Sequence, residues 1–472
     1  VIRFGTDGWR GIAGEDFTEA NARAVVQAAA EVWAAEDAAG QASGRPIVVG
    51  YDTRRDSETV AHLAADVLAA NGWRVLVADR PVPTPLVSFT VATGGAVGGL
   101  VVTASHNPAR FNGIKLKGAF GGSASPEFTA RVEAVLGRTP PRRADAADRS
   151  RIARLDLRPP YLARLRARLA TDRPPRRPLR IVADALHGAT DGLFRELVPA
   201  DWGEVRLLHD APDPTFGGLH PEPIPPHTDG LAAEVRRVGA DLGVALDGDG
   251  DRLGVVAADG RYVTPHEVLA LLTRHLVTVR GWRGEVVKGF AVGVQVDRIC
   301  ARLGLPIHVT PIGFKHIATL MQSRDILIGG EESGGIGFRD HLPERDGLLS
   351  ALLLLEAVAA SGTAVTELLR GLETDAGAFV YRRRDYTLDP TLGRRLLARL
   401  DGAPPVRLGV LGIARIETLD GRKYWLEDGS WVLVRPSGTE PLLRVYVEAP
   451  SAAGVEALHA AVAELVGELT RE

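Results

Sequence analysis

The segment VVTASHNPARFNGIKLK, Val101 to Lys117, decides how the rest of the chain is read. An apolar run, Gly99 to Val102, stops abruptly at Thr103, Ala104, Ser105, His106, Asn107 and Pro108. This pattern predicts a buried parallel strand that empties into a polar loop at its C-terminal end, where open α/β sheets bind ligands. Ser105 stands at the loop apex with His106 beside it. Asn107 is placed to brace the turn through its side chain, and Pro108 to fix the exit. Lys115 follows on a short apolar segment that can fold back toward Ser105.

Strands and helices alternate on both sides of this segment, the mark of a mostly parallel α/β sheet. Upstream, the glycine-punctuated stretch Phe4 to Gly11 precedes a predicted helix at Thr18–Ala35, a strand at Pro46–Tyr51, a helix at Ser57–Ala70 and a strand at Arg74–Ala78. Between Gly137 and Arg158 the sequence turns rich in Pro, Arg and Asp, which places a boundary near residue 150. A second unit, 151–258, has the strand Leu179–Ala183 and ends with Leu242–Leu246 running into DGDGDR. A third, 259–373, has strands at Glu285–Lys288, Ile307–Thr310 and Ile326–Ile328, the last running into GGEESGG. A fourth, 374–472, mixes strands near 379–386, 410–418, 431–434 and 443–448 with two helices and reads as α+β. The expectation is three similar α/β domains with mixed, mostly parallel sheets, plus a smaller C-terminal α+β domain.

Composition sets limits on function. A chain of 472 residues with 45% hydrophobic content is too long for one core. The net charge of −3 argues against a nucleic-acid binder that works by neutralising phosphates. The single cysteine, Cys300, suits a reducing compartment. No run approaches a membrane span and no signal pattern opens the chain, so a cytoplasmic protein is expected. Of 56 basic residues only Lys115, Lys117, Lys288, Lys315 and Lys423 are lysine. Coding bias toward Arg, or adaptation to heat, would produce this. Lysines that remain are candidates for tasks that arginine cannot do. Lys115, Lys288 and Lys315 lie in or beside chemically suggestive loops, whereas Lys117 and Lys423 read as chance survivors.

Four loops carry the chemistry. Asp247, Asp249 and Asp251 alternate with glycines, so three carboxylates face one side of an extended loop. Their mutual repulsion calls for a counter-ion, and oxygen-only ligands favour Mg²⁺ or Ca²⁺. An EF-hand is excluded, because Arg252 and Ala258 stand where that loop needs Gly and Glu. Three protein ligands leave room for a substrate oxygen, which suits Mg²⁺ in phosphoryl transfer, and Arg252 is near enough to pair with a phosphoryl group. Arg435, Ser437, Gly438 and Thr439, with Arg444 nearby, make a phosphate cradle. Glu331 and Ser333, within GEESG, suit the hydroxyls of a sugar. With Ser105 as candidate nucleophile, the set calls for a small phosphorylated sugar in a central cleft.

At these residues the chain resembles the α-D-phosphohexomutase family, whose hallmarks TASHNP, DGDGDR, GEESGG and RPSGTEP appear in family order after FGTDGWRG. The resemblance implies four domains around one cleft, a phosphoryl group on Ser105, and Mg²⁺ held by Asp247, Asp249 and Asp251 with Ser105. It implies interconversion of glucose 1-phosphate and glucose 6-phosphate through glucose 1,6-bisphosphate, which is both intermediate and activator. Arg10 and nearby lysines would offset transition-state charge, and Lys115, ahead of His106, would move the proton of the sugar hydroxyl. Lys288, Gly313 and Lys315 would contact the sugar or its phosphate.

Relatives that prefer mannose or glucosamine phosphates often carry a His where this chain has Gly335, and Glu332 beside Glu331 looks like the glucose-preferring branch. Ile312 stands where some relatives have Thr. Phosphomannomutase or dual specificity is the alternative, with phosphoglucosamine mutase and a metal-dependent sugar phosphatase behind it. The partner expected is a small-molecule hexose phosphate, with no nucleic acid, no membrane, and a monomeric or homodimeric chain.

Overall fold

Each of the first three domains is built on one strand plan, and the plan explains where the loops lie. A computed structural model describes residues 2–5, 7–170, 174–436 and 442–471, with side chains at all of these but 390 and 468–471. In the first domain the parallel strands Pro46–Tyr51, Arg74–Ala78 and Gly98–Val102 are followed by the antiparallel strand Phe111–Gly118. Numbered by their order in the chain, these four lie in the sheet as fourth, third, first, second. In the second domain Leu179–Asp184, Gly203–Leu208, Leu242–Leu246 and Leu253–Ala257 repeat that order. In the third, Glu285–Gly289, Ile307–Thr310, Ile326–Gly330 and Ile336–Phe338 repeat it again. The similar unit sizes seen in sequence therefore correspond to a shared topology.

The third strand of each set is entirely buried, which is why each reads as a short continuous apolar run. Each then leaves the sheet through a polar loop and returns antiparallel. Ser105, the three aspartates and Glu331 occupy those three equivalent loops.

The chain of the first domain extends beyond the Pro-rich stretch. Ile152–Leu155, assigned from sequence to the second unit, pairs in parallel with Arg74–Ala78 and completes the first sheet at its edge. The C-terminal domain holds a six-stranded sheet, antiparallel throughout, in the order Val380–Thr387, Leu442–Ala449, Trp431–Pro436, Arg422–Leu426, Leu411–Glu417, Arg407–Leu408. Helices Pro390–Gly402 and Ala452–Arg471 pack against it.

One buried cluster runs from Trp9 to Ala376 through the three α/β domains, and the C-terminal domain keeps its own, from Leu396 to Val462. A smaller cluster of Phe290, Ala291 and Val294 against Trp431, Leu433 and Tyr446 seals the seam between the third and fourth domains. The long apolar helix Gly347–Ser361, capped by Asp346 at its start and by left-handed Gly362 at its end, is buried from Gly347 to Ala359. Among the described residues no single helix is long and apolar enough to cross a membrane.

Two lysines read as chance survivors are in fact buried at domain seams. Lys117 is fully buried and donates to Glu344 Oε2 at 2.6 Å, joining the first domain to the third. Lys423 lies on Arg422–Leu426, a strand the sequence reading missed because its first two residues are charged. Its ammonium sits 3.9 Å from the Trp431 ring centroid, with Trp425 and Phe290 also within reach, and donates to the Phe290 carbonyl at 2.9 Å. Burial and the nearby Lys288 pull its pKa down to about 7.

Removing one partner of a buried ion pair strands the other, at a cost of about 3–5 kcal/mol. Lys117→Met is accordingly expected to lower the thermal-unfolding midpoint clearly, and Glu344→Gln added to it to restore part of the loss. A midpoint unchanged in Lys117→Met, measured by calorimetry, would show that the pair does not hold the two domains.

Candidate active site

Ser105 adopts a left-handed conformation, φ 52°, and its side chain is buried. A non-glycine residue holds that conformation only where its surroundings fix it, and here they do. Its N–H donates to Thr103 Oγ1 at 2.8 Å, and its carbonyl accepts from the Arg54 guanidinium at 2.6 Å. Arg54 also donates to the carbonyls of Asn107, Pro108 and Phe111, so one side chain gathers most of the loop. Arg54 is braced in turn by Asp52 at 3.0 Å, and Asp52 accepts from Thr103 and Ser57 hydroxyls. Burial works against both charges of this pair, lowering the Arg54 pKa and raising that of Asp52.

Across the domain boundary, the Ser105 hydroxyl donates to Asp247 Oδ2 at 2.9 Å. The two loops meet backbone to backbone: a Cβ on Gly248 would lie 2.6 Å from the Ser105 carbonyl oxygen, so only glycine fits there.

Asp247, Asp249 and Asp251 are fully buried, and one oxygen from each lies within 4.8 Å of the others. Each carboxylate divides its work. One oxygen is tied to the scaffold: Asp247 Oδ1 accepts from the N–H groups of Asp251 and Arg252, Asp249 Oδ2 from Thr84 and Lys115, and Asp251 Oδ2 from Lys115 and Arg345. Of the other three, Asp247 Oδ2 takes the Ser105 hydroxyl, while Asp249 Oδ1 and Asp251 Oδ1 are buried with no hydrogen-bond partner among the described residues. Three buried carboxylates this close together, with two hard oxygens otherwise unsatisfied, fit a small divalent cation.

The electrostatics match this division. Burial, then the neighbouring Asp251 and Asp249, pushes the Asp247 carboxyl well above its usual range. Burial acts the same way on Asp249, but the Lys115 ammonium outweighs it and holds that carboxyl below its usual range. The Lys115 ammonium bridges Asp249, Asp251 and Asp7 at 2.7–2.8 Å. Burial disfavours its charge, yet the three carboxylates win and raise its pKa. Lys115 thus holds its proton tightly here and serves as a counter-charge. Burial, Arg252 and Arg10 keep the His106 imidazole neutral, and its buried Nδ1 has no hydrogen-bond partner among the described residues. Asn107 Oδ1 accepts from Arg10 at 2.6 Å, so Asn107 positions that cation instead of bracing its own turn.

The third domain brings its two candidate loops together. The Gly313 N–H donates to Glu331 Oε1 at 2.9 Å. Burial, opposed by Arg345, raises the Glu331 carboxyl to about 7. Ser333 is half-buried in the same loop. Lys315 lies at the seam with the first domain, lining a cavity of about 240 Å³ with Asp7, Ser123 and Glu133. Lys288 does not present its ammonium to these loops: it pairs with Asp297 and donates to the carbonyls of Val292 and Gly293. In the fourth domain Arg435 donates to Asp420 Oδ1 at 2.8 Å, and Arg444 faces it across the paired strands. Ser437, Gly438 and Thr439 lie outside the described residues.

Sequence reasoning missed Arg54, Asp52 and Arg345, and gave Asp7 no role. Asp52 and Arg54 follow the buried strand Pro46–Tyr51, so the strand-end rule that found Ser105 points to them too. Arg345 pairs with Asp7, lies 2.8 Å from Asp251 and 3.8 Å from Glu331, and no local pattern marks it.

Comparison with known proteins matches residues 1–142, 159–260 and 264–375 to the alpha/beta/alpha domains I, II and III of phosphoglucomutase/phosphomannomutase, and 396–465 to its C-terminal domain. A phosphoglucosamine mutase from Frankia casuarinae is 34% identical over 100% of this chain and 98% of its own length. A phosphoglucomutase/phosphomannomutase from Thermococcus kodakarensis is 31% identical, covering 95% and 94%. The crystal structure of a provisionally assigned phosphomannomutase from Thermus thermophilus superposes with a TM-score of 0.87 at 36% identity, covering 99% of each chain.

Arg54→Lys keeps the charge but loses the fork that gathers the Ser105 loop. A reacting group displaced by about 1 Å costs about 100-fold in rate, so turnover is expected to fall by that order while the circular dichroism spectrum stays native. Full turnover in steady-state assays would remove Arg54 from the positioning of Ser105.

Proposed function

The chain belongs to the phosphoglucomutase/phosphomannomutase family of α-D-phosphohexomutases, and from that premise we propose that it interconverts the 1- and 6-phosphates of glucose through a phosphorylated Ser105. The observation that carries this reading is the Ser105 hydroxyl, held 2.9 Å from Asp247 at the junction of two domains.

In the forward direction the C6 hydroxyl of glucose 1-phosphate attacks the phosphorus of phospho-Ser105. The Oγ–P bond breaks, the O6–P bond forms, and the hydroxyl proton passes to the neutral imidazole of His106 beside the serine, because Lys115, expected from sequence to take it, already holds its own proton. Glucose 1,6-bisphosphate turns over in the cleft, Ser105 Oγ takes back the phosphoryl group as the O1–P bond breaks and the Oγ–P bond forms, and the proton held since the first step returns to O1. That leaves glucose 6-phosphate. Asp247, Asp249, Asp251 and the Ser105 oxygen would hold Mg²⁺, which supplies charge neutralisation for the phosphoryl group in transit. Arg10 and Arg252 add positive charge beside the same loops, and Arg435 with the loop after it would hold the phosphate at rest. Glu331 and Ser333 would read ring hydroxyls that are equivalent in both orientations.

The sugar loop supports glucose. A Cβ on Gly335 would lie 2.2 Å from Arg345 Cδ, so the Arg345 side chain takes the space that a histidine would need. Members of the family that favour mannose or glucosamine phosphates often carry that histidine. Glucosamine phosphate is the second reading, favoured by the name of the Frankia relative.

Initial rates with glucose, mannose and glucosamine 1-phosphates decide between these readings. Glucose 1-phosphate is expected to give the highest kcat/KM, and a higher value for glucosamine 1-phosphate would establish the second reading. Ser105→Ala is expected to lose about 10³-fold or more in turnover. Stoichiometric release of inorganic phosphate would instead identify a phosphatase.

A further inference from the structure

The second domain carries another cluster of metal-ligating side chains, of different chemistry. His220, Glu222 and His227 lie in the loop LHPEPIPPHTD, Leu219 to Asp229. Successive turns fold it: the N–H of Glu222 donates to the His220 carbonyl, that of Ile224 to Glu222, and that of His227 to Ile224, at 2.8–2.9 Å. Pro221, Pro223, Pro225 and Pro226 restrict the backbone between these turns. As a result one nitrogen from each imidazole and one Glu222 oxygen lie within 4.8 Å of one another, and the two rings are 4.6 Å apart at 54°.

The three groups do not satisfy each other. His220 Nε2 is 3.9 Å from Glu222 Oε2, too far for a hydrogen bond, and it is buried with no partner among the described residues. Ligand atoms around a tetrahedral ion with bonds of about 2.1 Å are about 3.4 Å apart, so a small contraction of this cluster would produce such a site. The Tyr262 hydroxyl, also buried and unpartnered, lies within the field of Glu222. Arg252 opposes a cation here, but only loosely, at 4.0 Å from Glu222 Oε1.

We propose that His220, Glu222 and His227 form a second metal site, selective for a borderline divalent ion such as Zn²⁺ or Co²⁺. Two imidazoles and one carboxylate are the donor set of such ions, whereas the oxygen-only aspartate triad suits Mg²⁺. Three protein ligands leave a fourth position for water. The site is bonded to the catalytic loop, because the Pro221 carbonyl accepts from the Gly248 N–H at 3.2 Å. An ion there would also take Glu222 away from Arg252.

The test is equilibrium dialysis of the full chain against Co²⁺ in excess Mg²⁺, which fills the aspartate triad and competes poorly for imidazole. One equivalent of Co²⁺ is expected on the native protein, with visible absorption bands of a low-coordinate nitrogen and oxygen site. His220→Ala, His227→Ala and the milder Glu222→Gln are each expected to weaken binding by more than the roughly tenfold that outer-sphere changes cost. Circular dichroism confirms that each variant is folded. The inference is overturned by a native protein that binds no Co²⁺, by full affinity in either histidine variant, or by bands that persist in all three. The readout is indifferent to turnover, so it stands or falls apart from the mutase reading.

Discussion

Three carboxylates buried within one six-residue turn form the constraint on which the rest of the molecule depends. Asp247, Asp249 and Asp251 have no exposure, and charges of one sign packed this closely without water raise one another's pKa and oppose folding. Among the described residues the second domain supplies no cation bound to Asp249 or to Asp251 Oδ2. Lys115 arrives from the first domain and Arg345 from the third, and both meet on Asp251 Oδ2. Asp7, from the N-terminal segment, then divides the positive charge of those two. Assembly of three domains is thus the condition under which the acidic turn is tolerated. The positions of Lys115, Arg345 and Asp7 follow from that electrostatic requirement as much as from any contact with substrate.

The repeated strand order gives this arrangement its economy. In each α/β domain the third strand lies beside the first, and the next strand in the chain returns antiparallel on its outer side. The loop between them therefore leaves the sheet at one fixed place, at the C-terminal end of a buried parallel strand. Three copies of that plan yield three loops of different chemistry: the Ser105 hydroxyl in the first, three carboxylates in the second, and the Glu331 carboxylate in the third. The fourth domain follows another plan, antiparallel throughout, with Arg435 at the end of the strand Trp431–Pro436.

What could be read from sequence was what is local. Ser105, the aspartates and Glu331 announce themselves because a run of apolar residues ends and a polar, glycine-rich turn begins within a few positions. Their third strands were placed within a residue or two. Lys117, Lys423 and Arg54 were opaque for the opposite reason. Each is buried, and each earns its place through partners 50 to 230 residues away in the chain: Ser105 for Arg54, Phe290 for Lys423, Glu344 for Lys117. Lys288 shows the converse. Its place beside a suggestive loop, and the family resemblance, implied contact with the sugar or its phosphate, but Asp297, nine residues on, and the carbonyls of Val292 and Gly293 occupy its ammonium. The edge strand Ile152–Leu155 was lost to composition, since two of its four residues are half-buried, two exposed, and a Pro- and Arg-rich stretch surrounds it.

Contacts between the candidate loops continue beyond the catalytic turn. Asp420 of the C-terminal domain accepts from Arg435 on one oxygen and from the Ile312 N–H on the other. The next residue, Gly313, donates to Glu331, and Glu331 lies against Arg345, which ends on Asp251. The arginine that would grip the resting phosphate is therefore joined to the aspartate turn by a short series of polar contacts across three domains. Glu331 is the pivot of that series, because it touches both Gly313 and Arg345. Its Oε1 is occupied by Gly313, while Oε2 is 3.8 Å from Arg345, longer than a hydrogen bond. One oxygen fixes the carboxylate in the loop, and the other is the one that the proposed function would give to a ring hydroxyl. The same division of labour governs the aspartates, where one oxygen anchors and the other faces the chemistry. In both places rigidity comes from the anchored atom, and function is left to its twin.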